Sequence, residues 1–108
     1  MPPSAPNYNG RVTDYYCYIL ECADGTLYTG WTTDPARRLR EHNAGRGAQY
    51  TAARRPLRMV FLEEHPTRTS AMKREYQIKR RNRRYKLRLI DSLEADDPLA
   101  AWKEGHDE

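Results

Sequence analysis

Tyr18, Tyr28 and Arg38 follow one another at intervals of ten residues, and His42 comes one helical turn after Arg38. Side chains of these types suit the hydrolysis of a phosphodiester. That reaction needs a water deprotonated and aimed, the phosphoryl charge neutralised as it builds, and the leaving oxygen stabilised. Tyr18 is the candidate base. A free phenol has a pKa of ~10, so it serves at neutral pH only where its surroundings stabilise the phenolate, and Arg38 with a nearby cation would do so. Arg38 carries the planar fork that grips a phosphate through two parallel hydrogen bonds. His42 shares its helical face and would shuttle a proton or contact phosphate. Glu75 falls four residues after Ala71 and three before Ile78, within an apolar helical stripe. A buried carboxylate needs a partner. A salt bridge to Arg38 would supply one, and so would a divalent cation. Magnesium is commonly held by one or two carboxylates, with waters and substrate phosphate completing its shell.

These residues meet only if the elements between them have the right lengths. Tyr15–Cys22 and Leu27–Trp31 are rich in aromatic and β-branched residues and read as strands. A two-residue turn between them would set Tyr18 and Tyr28 on opposite sheet faces. A three-residue loop, Ala23-Asp24-Gly25 with Gly25 left-handed, pairs Leu20 with Tyr28 and Tyr18 with Gly30, and puts both phenols on one face. Asp34-Pro35 starts a helix that runs to about Asn43 and stops at Gly45. Residues 44–56 read as a loop and Leu57–Glu64 as a third strand. Thr67 caps a second helix and Asn82 a third, whose apolar stripe is Leu87, Ile90 and Leu93. The expected fold is α/β (α+β): a three-stranded antiparallel sheet packed against three helices. The expected organisation is a disordered N-terminal arm at 1–14, a folded domain at 15–93 and an acidic tail at 94–108, where Leu99 and Trp102 could dock.

Composition limits the partners. The net charge of +4 conceals a segregation: residues 94–108 hold six acids and one base, leaving 18 bases and 9 acids in residues 1–93. A body that basic attracts polyanions, nucleic acid foremost. Arg46, Arg54 and Arg55 lie in the loop with Tyr50 interleaved, Arg37 adjoins Arg38, and Lys79 and Arg80 open a second basic run that continues to Arg88. These suit phosphate contacts, and Tyr50 could stack a base. No apolar run approaches the ~20 residues that span a bilayer, so no membrane partner is expected. No signal peptide is apparent. Cys17 and Cys22 are five apart on one strand, hence on opposite faces and not bridged. The expected setting is the cytoplasm.

The ladder Tyr16-Cys17-Tyr18, Tyr28-Thr29-Gly30 and Arg38 resembles that of the GIY-YIG nucleases. Tyr16 stands in place of the first motif's Gly, and Thr29 in place of the second motif's Ile. The likeness runs from about Tyr15 to Leu93 and is greatest to small stand-alone bacterial members. It implies a metal-dependent endonuclease acting on DNA, with RNA as a further option. It also implies Tyr18 as base, Tyr28 placing water and phosphate, Arg38 as phosphate clamp, and Glu75 as ligand to Mg2+ or Mn2+. Some members carry His at the offset of His42. The family often has Lys where this chain has Trp31. A domain this small would prefer single strands or substrate structure over sequence, in DNA repair or recombination. Two other readings remain at this point: a nucleic-acid-binding module without activity, and a protein-interaction adaptor using the acidic tail.

Overall fold

A computed structural model describes residues 14–106. Strands β1 (Tyr15–Glu21), β2 (Leu27–Thr32) and β3 (Arg58–His65) form one antiparallel sheet in the order β2-β1-β3. Five helices accompany it: α1 (Pro35–Asn43), α2 (Gln49–Ala52), α3 (Arg68–Lys79), α4 (Arg83–Asp91) and α5 (Pro98–His106).

The central strand is covered on both faces, so Tyr16 to Leu20 are all buried. On one face Tyr18, Leu20 and Cys22 pack with Met59 and Leu99, and with Ala36 and Leu39 of α1. On the other face Cys17, Ile19, Val60 and Phe61 pack with Ile78 of α3 and with Tyr85, Leu89 and Ile90 of α4. Ile19 pairs with Phe61 and Leu20 with Met59, so Val60 is the extra residue of a β-bulge and joins Phe61 in one cluster. Cys17 and Cys22 lie in opposite clusters and are unbridged, as their spacing requires.

The hairpin adopts the three-residue loop. Cys22 N donates to Thr26 O at 2.8 Å, Gly25 has φ 87°, and the register pairs Leu20 with Tyr28 and Tyr18 with Gly30. Asp24 fixes the turn by accepting from Thr26 N and Oγ1 at 3.0 and 2.7 Å. The expected caps are also present: Asp34 accepts from Arg37 N, Thr67 from Ser70 N and Asn82 from Tyr85 N.

The sheet is as the sequence predicts, but there are two more helices than expected. The loop 44–56 contains the single turn α2, and the acidic stretch contains α5. Leu99 of α5 is buried in the core, and Trp102 packs edge-on against Tyr16 with ring centroids 6.0 Å apart. Ala100 N bonds to Asp97 Oδ1 at 3.1 Å, the local cap that starts α5. The inward face of α4 differs from the expected stripe at one position. Ile90 and Leu93 face the core as expected, but Leu87 is exposed, and Tyr85 and Leu89 complete the inward face. The expected N-terminal arm lies outside the described residues, apart from Asp14. Among the described residues no helix is long and apolar enough to cross a membrane.

Candidate active site

Tyr18 points from the central strand toward α1. It is 1% exposed, and its Oη lies 2.9 Å from Nε2 of His42, which is 0% exposed. His42 Nδ1 lies 2.8 Å from Thr51 Oγ1, and Thr51 Oγ1 donates to Ala48 O at 3.0 Å. A hydroxyl has one proton, and Thr51 gives its proton to Ala48. His42 must therefore donate from Nδ1, and its Nε2 must accept. The chain of bonds then runs one way: Tyr18 O–H to His42, His42 N–H to Thr51, Thr51 O–H to Ala48.

Two glycines make room for this arrangement. A Cβ on Gly30 would lie 2.5 Å from the Tyr18 hydroxyl oxygen, and a Cβ on Gly47 would run into the His42 ring. The glycine of Tyr28-Thr29-Gly30 is therefore a clearance for the first motif's phenol. Asn43 ties the loop that follows α1 to the start of β3, donating to Leu57 O at 3.1 Å and accepting from Leu57 N at 2.7 Å.

Arg38 lies above this buried floor. It donates to Glu41 Oε1 at 2.9 Å and to Gly47 O at 3.1 Å, which fixes its fork. The Tyr28 ring meets the His42 ring at 5.4 Å and stacks on Tyr50 at 6.1 Å, with 21° between the planes. Lys79 Nζ lies 5.8 Å from the Tyr28 ring and 3.3 Å from Glu75 Oε2. α3 packs on the opposite sheet face, so these two side chains reach the site at the β2 edge. Tyr18, Tyr28, Arg38 and His42 are thus neighbours, and Glu75 comes beside them through its contact with Lys79.

Burial pushes the Tyr18 phenol up to about 12. Arg38 draws it down by hydrogen bond and charge, while the Tyr28 and Glu75 charges oppose that. Arg38 by itself does not offset the burial, and Tyr18 is a protonated phenol at neutral pH. Burial, and then the Arg38 charge, lower His42 to about 4. His42 is therefore neutral, and burial and the Arg38 charge both oppose a proton on it.

Three expectations change. His42 is fully buried between Tyr18 and Thr51, so its ring offers no surface for the direct phosphate contact that was one of its two expected roles. Glu75 does not pair with Arg38, because Glu41 and Gly47 occupy that guanidinium. Nor is Glu75 sealed in the core. Ala71 and Ile78 are fully buried, but the Glu75 side chain is 21% exposed at the edge, with Lys79 beside it. Among the described residues no three His, Cys, Asp or Glu side chains gather as a metal cage. Glu75 is one partly exposed carboxylate, the kind of ligand magnesium takes singly with waters and substrate phosphate, and Lys79 would have to give way to the ion. Of the basic candidates, Arg37 leans on Glu41 at 3.8 Å, and Arg46 is exposed. Arg54 lies 3.8 Å over the Tyr50 ring and pairs with Asp24 at 3.1 Å. Arg55 donates to Ala52 O at 2.8 Å, and Arg80 turns outward onto Tyr76. Thr51 and Gly47 had no sequence signal, because both lie in a loop without periodicity.

Residues 14–88 match the family model described as the GIY-YIG catalytic domain. The chain belongs to the GIY-YIG nuclease family. It is 51% identical over 75 residues to a UPF0213 protein of Streptococcus sanguinis, covering 69% of this chain and 86% of the relative. It is 49% identical over 76 residues to a UPF0213 protein of Staphylococcus aureus, covering 70% and 93%. The solution structure of the protein EF2693 from E. faecalis superposes with a TM-score of 0.52 at 44% identity, over 73% of this chain and 84% of that one. In this GIY-YIG chain Tyr16 replaces the first motif's glycine and is buried against Trp102, on a helix that lies beyond the matched span.

The lowered pKa of His42 makes stability depend on pH. Between about 4 and 6.5 the unfolded chain binds a proton that the folded chain refuses. The contribution is complete above pH ~6.5 and is lost as pH falls toward ~4, by about 3 kcal/mol. Glu64 acts with the opposite sign, because hydrogen bonding with Asp14, burial and the Asp14 charge raise it to about 7. The measurement is therefore a difference: urea unfolding of wild type minus His42→Asn at several pH values. A difference that does not vary from pH 4 to 7 would contradict a buried neutral His42.

Proposed function

We propose that this protein is a divalent-metal-dependent endonuclease that hydrolyses DNA phosphodiester bonds, selecting single-stranded or structured substrates. The observation that supports this reading is the one-way bond chain from Tyr18 to His42 beneath the Arg38 fork. Arg38 binds the scissile phosphate, and Tyr28 positions the phosphate and the attacking water. The water gives a proton to Tyr18 Oη while Tyr18 passes its own proton to His42 Nε2, so no free phenolate is needed. The water oxygen forms the new bond to phosphorus, the bond to the leaving oxygen breaks, and that oxygen takes a proton from solvent. The phosphate's negative charge offsets Arg38 and makes the proton on His42 less costly. After release, His42 returns the proton through Tyr18. Glu75, with substrate phosphate, would hold Mg2+ or Mn2+, which when bound supplies positive charge to the phosphoryl and leaving oxygens. Arg37, Arg46, Arg54, Arg55, Lys79 and Arg80 contribute phosphate contacts, and Tyr50 a stacking surface. Two unbridged buried cysteines suit a reducing cytoplasm.

The test is incubation with single-stranded, duplex and branched DNAs, with magnesium, manganese or a chelator. We expect scission that requires the metal and favours unpaired or branched DNA. Binding without scission under every condition would replace the enzyme with a binding module.

A further inference from the structure

We propose that the outer surface of α3 and its corner with α4 form a track for the unpaired strand of the substrate, whose bases stack on Tyr76. This rests on the nuclease reading for the class of ligand, but it uses a surface apart from the reacting groups.

Tyr76 is 61% exposed and Met72, one turn earlier, 44% exposed. A hollow of 460 Å³ lies on one side, lined by Tyr76, Gln77, Arg80, Arg81 and Tyr85. A second hollow of 460 Å³, lined by Met72, Lys73, Tyr76 and their neighbours Thr69 and Gln77, adjoins it. Tyr76 and Gln77 are common to both, so the ring stands as a partition with hollows beside it.

Charge decides the occupant. No carboxylate lines either hollow, whereas Lys73, Arg80 and Arg81 do. The Arg80 guanidinium lies 5.2 Å over Tyr76 and donates to its hydroxyl at 3.1 Å, and that of Arg81 lies 4.4 Å over Tyr85. Flat aromatic faces alternating with guanidinium forks match a strand of bases and phosphates. Every base has a π-face, so stacking tolerates sequence, but duplex bases are already stacked on their neighbours. Lys79, whose ammonium lies 3.3 Å from Glu75 Oε2 and 5.8 Å from the Tyr28 ring, directly precedes Arg80 on α3, so the helix that carries the track also reaches the site. A substrate strand that leaves the site along α3 would meet Tyr76, a physical reason for the enzyme to favour unpaired DNA.

The test is fluorescence anisotropy with a labelled oligo-dT and with a duplex of equal length, in chelator so that nothing is cut. Tyr76→Ala should weaken oligo-dT binding by about 5- to 150-fold and duplex binding far less, while Tyr76→Trp restores it. Arg80→Ala should reduce the slope of log affinity against log salt by about 0.7. Unchanged oligo-dT affinity in Tyr76→Ala overturns the track, and so does equal loss on both probes, which would mean that the surface reads backbone alone. If wild type binds neither probe, the track and the DNA partner fall together and a protein becomes the occupant. If Tyr76→Ala weakens oligo-dT selectively but wild type cuts nothing in any metal, the track stands and the nuclease reading falls.

Discussion

Glu75→Gln is expected to abolish cleavage with little effect on folding or on metal-free DNA binding. The substitution keeps the side chain's shape and removes its charge. Metal charge on the phosphoryl oxygens is worth several kcal/mol in the transition state. At ~1.4 kcal/mol per tenfold, its loss lowers the rate by about a thousandfold or more. The fold should survive, because Glu75 is partly exposed and its ion pair is the i, i+4 contact to Lys79. Such pairs contribute about 0.3–0.5 kcal/mol, or roughly 3 °C in melting temperature for a domain of this size. Rates come from single-turnover cleavage at saturating protein, affinity from anisotropy in chelator, and stability from thermal unfolding. A variant that still cuts at the wild-type rate with magnesium would end the assignment of Glu75 as metal ligand, even with the family membership intact.

Much of this site is legible in the sequence because its placement depends on local chemistry. Gly25 accepts the left-handed conformation, the loop then takes three residues, and the register brings Tyr18 and Tyr28 to one face. Asp34, Thr67 and Asn82 cap their helices through side-chain oxygens three residues from the backbone groups they serve. What is not legible depends on residues distant in sequence and without periodicity. His42 follows Arg37, Arg38, Arg40 and Glu41, and in such company it reads as exposed. Its burial is imposed by Thr51 and Gly47, from a loop whose composition predicts no structure. Leu99 and Trp102 make only a three-residue step in an acid-rich stretch, too short to show a period. They become a helix face because the core beside Tyr16 leaves a place for them. The exposure of Leu87 is likewise not legible, because Tyr85, an aromatic that the aliphatic stripe leaves out, takes a place on the inward face of α4. Glu75 is legible as an anomaly in an apolar stripe, but its partner is not, because the competition between Glu41 and Glu75 for Arg38 is settled by the turn of α1.

Tyr18→Phe separates the proton relay from a merely structural tyrosine. The ring remains and still fills the space above Gly30, so overpacking is avoided. Only Oη is lost, and with it the donor to His42 Nε2. That nitrogen is fully buried, and leaving it unpaired costs about 1–3 kcal/mol of stability. Loss of a positioned base is expected to slow cleavage by about 10²- to 10⁴-fold. DNA affinity in chelator should be unchanged, because phosphate binding rests on Arg38 and the exposed basic side chains and not on the Tyr18 hydroxyl. His42→Asn should give a comparable loss of rate by interrupting the relay at its far end. If the two residues move one proton together, the double variant falls no further than the slower single variant, because groups that act as a unit are non-additive. Multiplicative losses would mean that Tyr18 and His42 act separately. Wild-type cleavage by Tyr18→Phe, with stability reduced, would make the pair a buried structural contact and require the attacking water to be activated from the Glu75 side of the site.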